Sequence, residues 1–337
     1  MSAITEDELL NPGSTTPGGR ILLDPKEGFH LQHRGPLSLS TMEKIFADVL
    51  FVLPMHSSPS VKLSFLPNPS KRFCLDLRNP IDWFHSKKLR RHLRPQHFKL
   101  VVKCSLSEDL TKAKDYHVHK SGSTWLTDDL IKQLHSLSLS RRCVVQCYSF
   151  SLVDVLTSTV CATSFGFLSG CVYEDYTMAT FARDNRSCGH LLSLLVGCVL
   201  QKAGVKLWYW GYETTYMESY RAHYGARDIE RMEFYAVWRE APESLSPSLS
   251  SVFKDATTLP GVAIEVEDPP AQLVGRTVVI TGLAAKPELN GREAVVLSFD
   301  VDKRRFAVNL RGDGGEANTY LLKEVNLRVT GLVLMPP

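Results

Sequence analysis

Ser187-Cys-Gly-His-Leu-Leu-Ser-Leu-Leu-Val-Gly-Cys-Val-Leu-Gln-Lys-Ala203 is the longest run of the chain in which apolar residues recur with a helical period, and Gly204 behind it is a natural C-terminal stop. Strand-like segments flank it: 205–210 follow, and 171–176 precede, joined through Ser169-Gly170 to 160–167, with 144–150 earlier still. A helix set among strands in this way argues for a domain of packed sheet and helix layers. Further out, Thr127 is a good N-cap with Asp128 and Asp129 in the first turn, which predicts a helix through 137. Residues 98–104 read as a strand. Met42, Ile45, Phe46, Val49 and Leu50 predict an amphipathic helix over 39–53. A short helix at 216–224 and a last strand at 232–238 complete the pattern, which is α+β.

Two stretches punctuate the chain. Residues 1–20 are rich in Pro, Gly, Ser and Thr and are expected to be disordered. Residues 241–264 contain Pro242, Ser244, Ser246, Pro247, Ser248, Ser250 and Ser251, the composition of a linker. Beyond it, 265–335 alternate short β-rich runs with turn residues such as Asp300-Val-Asp-Lys303 and Gly312-Asp-Gly-Gly315, which predicts a small all-β barrel. The sequence Lys286-Pro-Glu-Leu-Asn-Gly291, then Val295-Val-Leu-Ser-Phe-Asp300, Phe306-Ala-Val308 and Leu322-Lys-Glu-Val-Asn-Leu327, resembles an SH3-like β-barrel module, and it names no ligand for that module.

The eight cysteines show no Cys-x-x-Cys pair, which suggests a reducing compartment rather than a disulfide framework. His135, Cys143 and Cys147 could be read as metal ligands. The sequence from Cys143 to Cys147 looks like a strand with buried alternate thiols, so no metal and no cofactor is expected. Acids in 1–10 argue against a targeting peptide, and no apolar run approaches the roughly 20 residues of a membrane span, so a cytoplasmic protein without a membrane partner is expected.

Thirty-nine Lys and Arg against 36 Asp and Glu give a net charge of only +3, so a polyanionic partner needs a local concentration of cations. Segment 71–103 has one: ten Lys or Arg against Asp76 and Asp82, a balance of +8. Such a segment suits phosphate contacts, because each neutralised phosphate releases counterions; a solvated basic surface is the plainer alternative.

Four motifs then occur in order. Ser86-Lys-Lys-Leu-Arg-Arg91 is similar to the Ser-Arg-x-Met-Lys-Arg segment of the leucyl/phenylalanyl-tRNA–protein transferases. Gly122-Ser-Thr-Trp125-Leu-Thr127 and Leu134-His135 are similar to that family's Gly-Thr-Trp-Ile-Thr and Leu-His, and Tyr224-Gly-Ala226 through Ile229-Glu-Arg231-Met-Glu-Phe234 to its ending. The resemblance covers about 20–238. It implies a small N-terminal subdomain at 21–97, a GNAT-like acyltransferase domain at 98–240, and transfer of Leu or Phe from aminoacyl-tRNA to acceptor proteins with N-terminal Arg or Lys. It places tRNA contacts on Lys87, Arg91 and Arg94, and an apolar aminoacyl pocket on Trp125, Met55, Tyr176, Thr177 and Met178. Met55 stands where the family has a second Trp.

The chain departs from the family where the chemistry is expected. The family's strand acid corresponds to Tyr209, a second carboxylate to Tyr176, and the accompanying Gln to Gly211. Glu174, Asp175 and Glu213 are the nearby acids that could replace them. An α-amine with pKa near 7.7–8.0 is about one-tenth neutral at pH 7, so positioning alone leaves some reactivity toward an activated ester. Two other readings compete. One is an inactive adaptor that keeps a tRNA- or peptide-binding surface. The other is a coenzyme-A-dependent N-acetyltransferase, which needs a Gly-rich turn where this chain has Arg186.

Overall fold

In the computed structural model the residues described are 30–34, 37–47, 49–50, 52–58, 61–67, 69–94, 96–103, 106–138, 145–182, 185–211, 217–239, 258–259, 262–267, 273, 277–300, 303, 305–310, 319–323 and 326–329. The expected tail at 1–20 and the linker at 241–257 lie outside them. Along the chain come β1 (His30–Arg34), α1 (Leu39–Ala47), β2 (Leu53–Ser58), β3 (Val61–Pro67), β4 (Lys71–Asp76), α2 (Lys87–Arg90), β5 (Phe98–Lys103), α3 (Ser107–Ser121) and α4 (Asp128–Ser138). Next are β6 (Gln146–Asp154), β7 (Val160–Ser169), β8 (Val172–Thr180), α5 (Cys188–Lys202), β9 (Leu207–Tyr209), α6 (Glu218–Tyr224), β10 (Arg227–Glu230) and α7 (Arg231–Arg239). Then follow β11 (Thr258–Leu259), β12 (Val262–Glu267), β13 (Thr277–Ile280), β14 (Glu293–Asp300), β15 (Arg305–Leu310), β16 (Thr319–Leu322) and β17 (Leu327–Val329).

Among the described residues the chain divides into a larger unit, up to Glu267, and a smaller one, from Leu273 onward. The larger unit holds a nine-stranded sheet in the order β10-β4-β9-β8-β7-β6-β5-β12-β11 and a separate sheet β1-β3-β2. Strands β5 to β8 are antiparallel neighbours. Strand β9 runs parallel to β8, which requires a crossover, and α5 supplies it. Antiparallel strands, a crossover helix and a short parallel strand make the GNAT-like α+β arrangement. The smaller unit is a five-stranded antiparallel sheet, β16-β15-β14-β13-β17, around Val278, Ile280, Val296, Phe306 and Val308.

Helix α5 is apolar nearly all round because it is enclosed. Leu191, Leu192, Leu194, Leu195, Val196, Val199 and Leu200 are all buried against Phe150, Leu152, Tyr173, Trp83 and Trp208. Truncating one of these leucines to Ala costs about 2–5 kcal/mol. Gly197 is needed for this approach, since a Cβ there would stand 2.3 Å from Trp83 and 2.8 Å from Trp208. Gly204, at φ 82°, provides the left-handed stop expected of it. On the opposite face Phe46, Leu110, Leu130, Leu134, Phe165 and Phe167 form a second core under α1, α3 and α4. Thr127 accepts the Leu130 N–H at 3.2 Å, as its N-cap assignment requires.

Four expectations need correction. Residues 232–238 belong to helix α7, not a strand: Phe234, Tyr235 and Trp238 are buried at i, i+1 and i+4 while Met232 stays half exposed. The helix expected over 39–53 stops at Ala47, and Val49 adopts φ 56°, outside the right-handed helical region. Residues 262–267, assigned to the linker and the start of the barrel, form β12, the parallel neighbour of β5. Residues 71–76, assigned to an N-terminal subdomain, form β4 of the large sheet, between β9 and β10.

Candidate active site

The site lies where the sheet splits. Strand β9 pairs with β8 at Val172, Tyr173 and Glu174, so from Asp175 to Thr180 β8 has no partner on that side among the described residues. On its other side a β-bulge interrupts the ladder: Phe165 faces Thr177 and Gly166 faces Asp175, leaving Tyr176 as the extra residue. A regular strand would send residues 175 and 178 to opposite faces. The bulge removes that alternation, and both Asp175 and Met178 reach the α5 side, where Asp175 meets Trp208 and Met178 meets Ser193. The opening is a cleft of about 460 Å³, walled by Asp175 to Met178 and Thr180 of β8, Trp125, the α3 residues Tyr116, His117 and Lys120, and Trp210, Met217 and Tyr220.

Asp175 is the acid of this cleft. Ser164 Oγ donates to its Oδ1 at 3.1 Å and Trp208 Nε1 to its Oδ2 at 3.2 Å, with a further hydrogen bond from Trp210. These donors favour the carboxylate, yet burial outweighs them and pushes its pKa up to about 7. A group of that pKa can both take and return a proton near neutrality.

The remaining walls are mostly aromatic, with Lys120, Ser121, Thr177 and Thr180 as their polar members. Trp125 meets Tyr176 edge-on, with centroids 4.9 Å apart. Tyr176 is fixed among Phe46, Phe165 and Phe167 and donates its hydroxyl to the Val52 carbonyl. His117, which the sequence did not single out, has Nε2 3.4 Å from the Met178 carbonyl oxygen and Nδ1 3.4 Å from Thr124 Oγ1. Burial, with a smaller contribution from Lys120, holds its pKa below the ordinary imidazole value. Its signal was hidden because α3 buries only Leu110 and Ala113 among its apolar residues and shows little helical periodicity.

The structure thus brings Trp125, Asp175, Tyr176, Thr177 and Met178 to one cleft. Glu174 and Tyr209 do not line it. They are register partners across β8 and β9 and share a buried cluster with Arg72. The Arg72 guanidinium donates to the Val49 carbonyl at 2.8 Å and to Tyr235 Oη at 3.2 Å, and lies 4.3 Å from the Phe234 centroid and 5.0 Å from that of Tyr209. Neither oxygen of Glu174 has a hydrogen-bond partner among the described residues; burial pushes its pKa up to about 8 against the opposing pull of Arg72. Burial also raises the Tyr209 phenol far above its ordinary value, so it is no base at neutral pH. Met55 lies on β2, and Glu213 falls outside the described residues.

The basic segment is not one patch. Arg72 is in the core, and Lys71, Arg78 and Lys99 are paired with Glu230, Asp76 and Glu265 at 3.4, 2.7 and 2.6 Å. What remains is concentrated at 87–94. Helix α2 is capped by Ser86 and anchored by buried Leu89, with Leu93 buried just beyond it, so Lys87, Arg90, Arg91 and Arg94 project outward. Among the described residues none of these four is ion-paired. Arg186, where an acetyltransferase needs Gly, is instead bound to Asp154 and lies over Phe98 at 5.1 Å.

Among the described residues no group of His, Cys, Asp and Glu is placed to hold a metal ion, and no helix is long and apolar enough to cross a membrane. His135 and Cys147 are buried, and Cys143 lies outside the described residues.

No family model matches the chain, and no curated protein matches it. Among solved structures it is similar to FemX, at 8% identity and a TM-score of 0.37, over 60% of this chain and 70% of that one. It is also similar to the C-terminal domain of a putative lysylphosphatidylglycerol synthetase from Agrobacterium fabrum, at 10% and 0.34 over 60% and 66%. A third is a tandem GNAT protein from the clavulanic acid biosynthesis pathway, at 13% and 0.32 over 60% and 64%. At these identities and TM-scores nothing about activity passes from those proteins to this chain.

Proposed function

We propose that the larger unit is an acyltransferase that moves an aminoacyl group, Leu or Phe, from tRNA to the α-amine of an acceptor protein beginning with Arg or Lys. The observation that carries this reading is a carboxylate with pKa near 7 in the wall of a cleft rich in aromatic side chains, at the point where β8 is free of β9. The aminoacyl side chain lies against Trp125, Tyr176 and Met178, and the ester carbonyl lies along the unpaired edge of β8 beyond Asp175. Asp175 accepts a proton from the acceptor's ammonium, and the neutral amine attacks the ester carbon. The C–N bond forms, the ester C–O bond breaks, the departing ribose oxygen takes the proton held by Asp175, and the attacking nitrogen loses its second proton to solvent as it becomes the amide. Lys87, Arg91 and Arg94 contact the tRNA backbone. The ester is already activated, so positioning and one base suffice.

Single-turnover transfer from Leu- and Phe-charged tRNA to Arg- and Lys-initiated peptides tests this. Wild-type protein should transfer, and Asp175→Asn should transfer at least about a hundredfold more slowly. Tight tRNA binding with no transfer to either peptide would overturn the enzyme in favour of an adaptor.

A further inference from the structure

We propose that His85, His190 and His223 form a phosphate-binding site for the acyl donor, set between the cleft and the basic turn at 87–94. The inference rests on the transferase reading for the identity of the donor, but not for the site itself.

Three separate segments bring these imidazoles together. His85 precedes the Ser86 cap of α2, His190 is in the first turn of α5, and His223 is in the last turn of α6. The rings of His85 and His223 are 5.2 Å apart, and Tyr224 joins the group: its hydroxyl is 2.9 Å from His190 Nε2, and its ring is 5.6 Å from His85. Tyr224 in turn lies 6.1 Å from Tyr220, a wall of the cleft. The group therefore connects the cleft to the exposed cations of α2.

Its chemistry suits an anion. His85 Nδ1 meets the Asp82 carbonyl at 3.1 Å, but no acid side chain is paired with any of the three imidazoles among the described residues. The charged residues on 82–91, at the start of α5 and on α6 are Asp82, Lys87, Lys88, Arg90, Arg91, Arg186, Glu218 and Arg221. Arg186 is bound to Asp154 and Arg221 to Asp228. His190 is held below its ordinary pKa by burial and then by the neighbouring His223 and His85. A bound phosphate reverses that penalty, accepting hydrogen bonds from imidazolium groups. The first turn of α5 adds to the attraction, since it carries no acid and Ser187 does not cap it with its side chain. Metal ligation is not the arrangement's geometry, because these histidines are not placed to hold an ion.

The phosphate could belong to the RNA backbone or to the diphosphate of coenzyme A, and the two are separated by experiment. Binding of uncharged tRNA and of coenzyme A is measured at about pH 6 and about pH 8, on either side of the imidazole range. His85→Gln/His223→Gln changes two exposed side chains. It should weaken tRNA binding at least about tenfold at the lower pH, the scale of one charge-assisted hydrogen bond, and far less at the higher. Lys87→Glu/Arg91→Glu/Arg94→Glu should weaken it at both. As a readout needing no variant, inorganic pyrophosphate at the lower pH should shift the ring resonances of these histidines in the wild-type protein. Loss confined to coenzyme A would keep the phosphate site and end the tRNA-donor reading. His-dependent tRNA binding in a protein that transfers nothing would keep the site and end the transferase reading. Superimposable curves for the His variant and wild type at the lower pH, or histidine resonances unmoved by pyrophosphate, would overturn the site.

Discussion

Glu174 and Asp175 are consecutive residues of β8 whose carboxylates serve opposite faces of the sheet: Asp175 is held by Trp208 and Ser164 in the wall of the cleft, while Glu174 is sealed beside Arg72 and Tyr209. Burial raises both, but only one can exchange a proton with a bound substrate. Strand alternation alone separates their roles.

Asp175→Asn should lower transfer by about 10²- to 10⁴-fold, the usual contribution of a general base. In the wild type the rate should rise with pH through about 7, as the base loses its proton. A pH–rate profile checks both. A variant that keeps the wild-type rate would remove Asp175 from the mechanism.

Glu174 makes a prediction about stability that is independent of activity. Its folded pKa, about 8, stands above the ordinary 4.5, so the folded state binds the extra proton between those values. The resulting stabilisation is fully present below about 4.5 and is lost as pH rises through 8. Asp175 acts in the same sense up to about 7. Thermal midpoints should therefore fall across this window in the wild type and fall less in Glu174→Gln. Parallel curves for the two proteins would contradict the assignment.

Tyr209 shows what the sequence could and could not disclose. Alignment of Lys206-Leu-Trp-Tyr-Trp-Gly211 with a family strand put Tyr209 at the acid's position, and the strand is indeed where it was expected. Which face a residue takes depends on register and on where β9 stops, and neither is written in the strand itself. The helices and strands around α5 were legible because long apolar periodicity and Gly204 mark them. Polar α3, which carries His117, was not legible, and neither was β12, whose pairing with β5 spans more than 160 residues. Trp125 and Tyr176 to Met178 could be found by motif; Asp175's hydrogen bonds could not.

Tyr209→Phe should accordingly leave transfer nearly unchanged. Tyr209→Asp should not raise it, because the new acid would lie with Glu174 and Arg72 and away from the cleft. It should also destabilise the fold by about 3 kcal/mol or more through cavity formation and the burial of an acid. Calorimetry beside transfer assays decides this, and a gain of transfer in Tyr209→Asp would show that the reacting groups meet on the other face.

Ending the chain after residue 240 should harm the larger unit, whereas ending it after Glu267 should not. The shorter form loses β12, whose residues 263–267 pair with all but the first residue of β5, and leaves that edge open to association. The exposed Lys99–Glu265 pair contributes little to this loss. Sedimentation and thermal melts of the two lengths should separate them. Equal behaviour would mean that β5 tolerates an open edge.

The cations of the α2 turn should act as a group. Lys87, Arg91 and Arg94 are exposed, and none is engaged by an acid among the described residues, so charge reversal there removes no structural contact and should leave the melting temperature unchanged. If they meet phosphates, each contact releases about 0.7 to 0.9 of a counterion, and the triple variant should bind tRNA with a shallower dependence of log K on log salt, by about two to three in slope. Wild type and variant should then converge as salt rises. Reversing Lys71 and Arg78, which already pair with Glu230 and Asp76, should alter the slope less. Filter binding over a range of salt concentrations measures all three proteins. Identical slopes for the triple variant and wild type would place tRNA contact elsewhere on the surface.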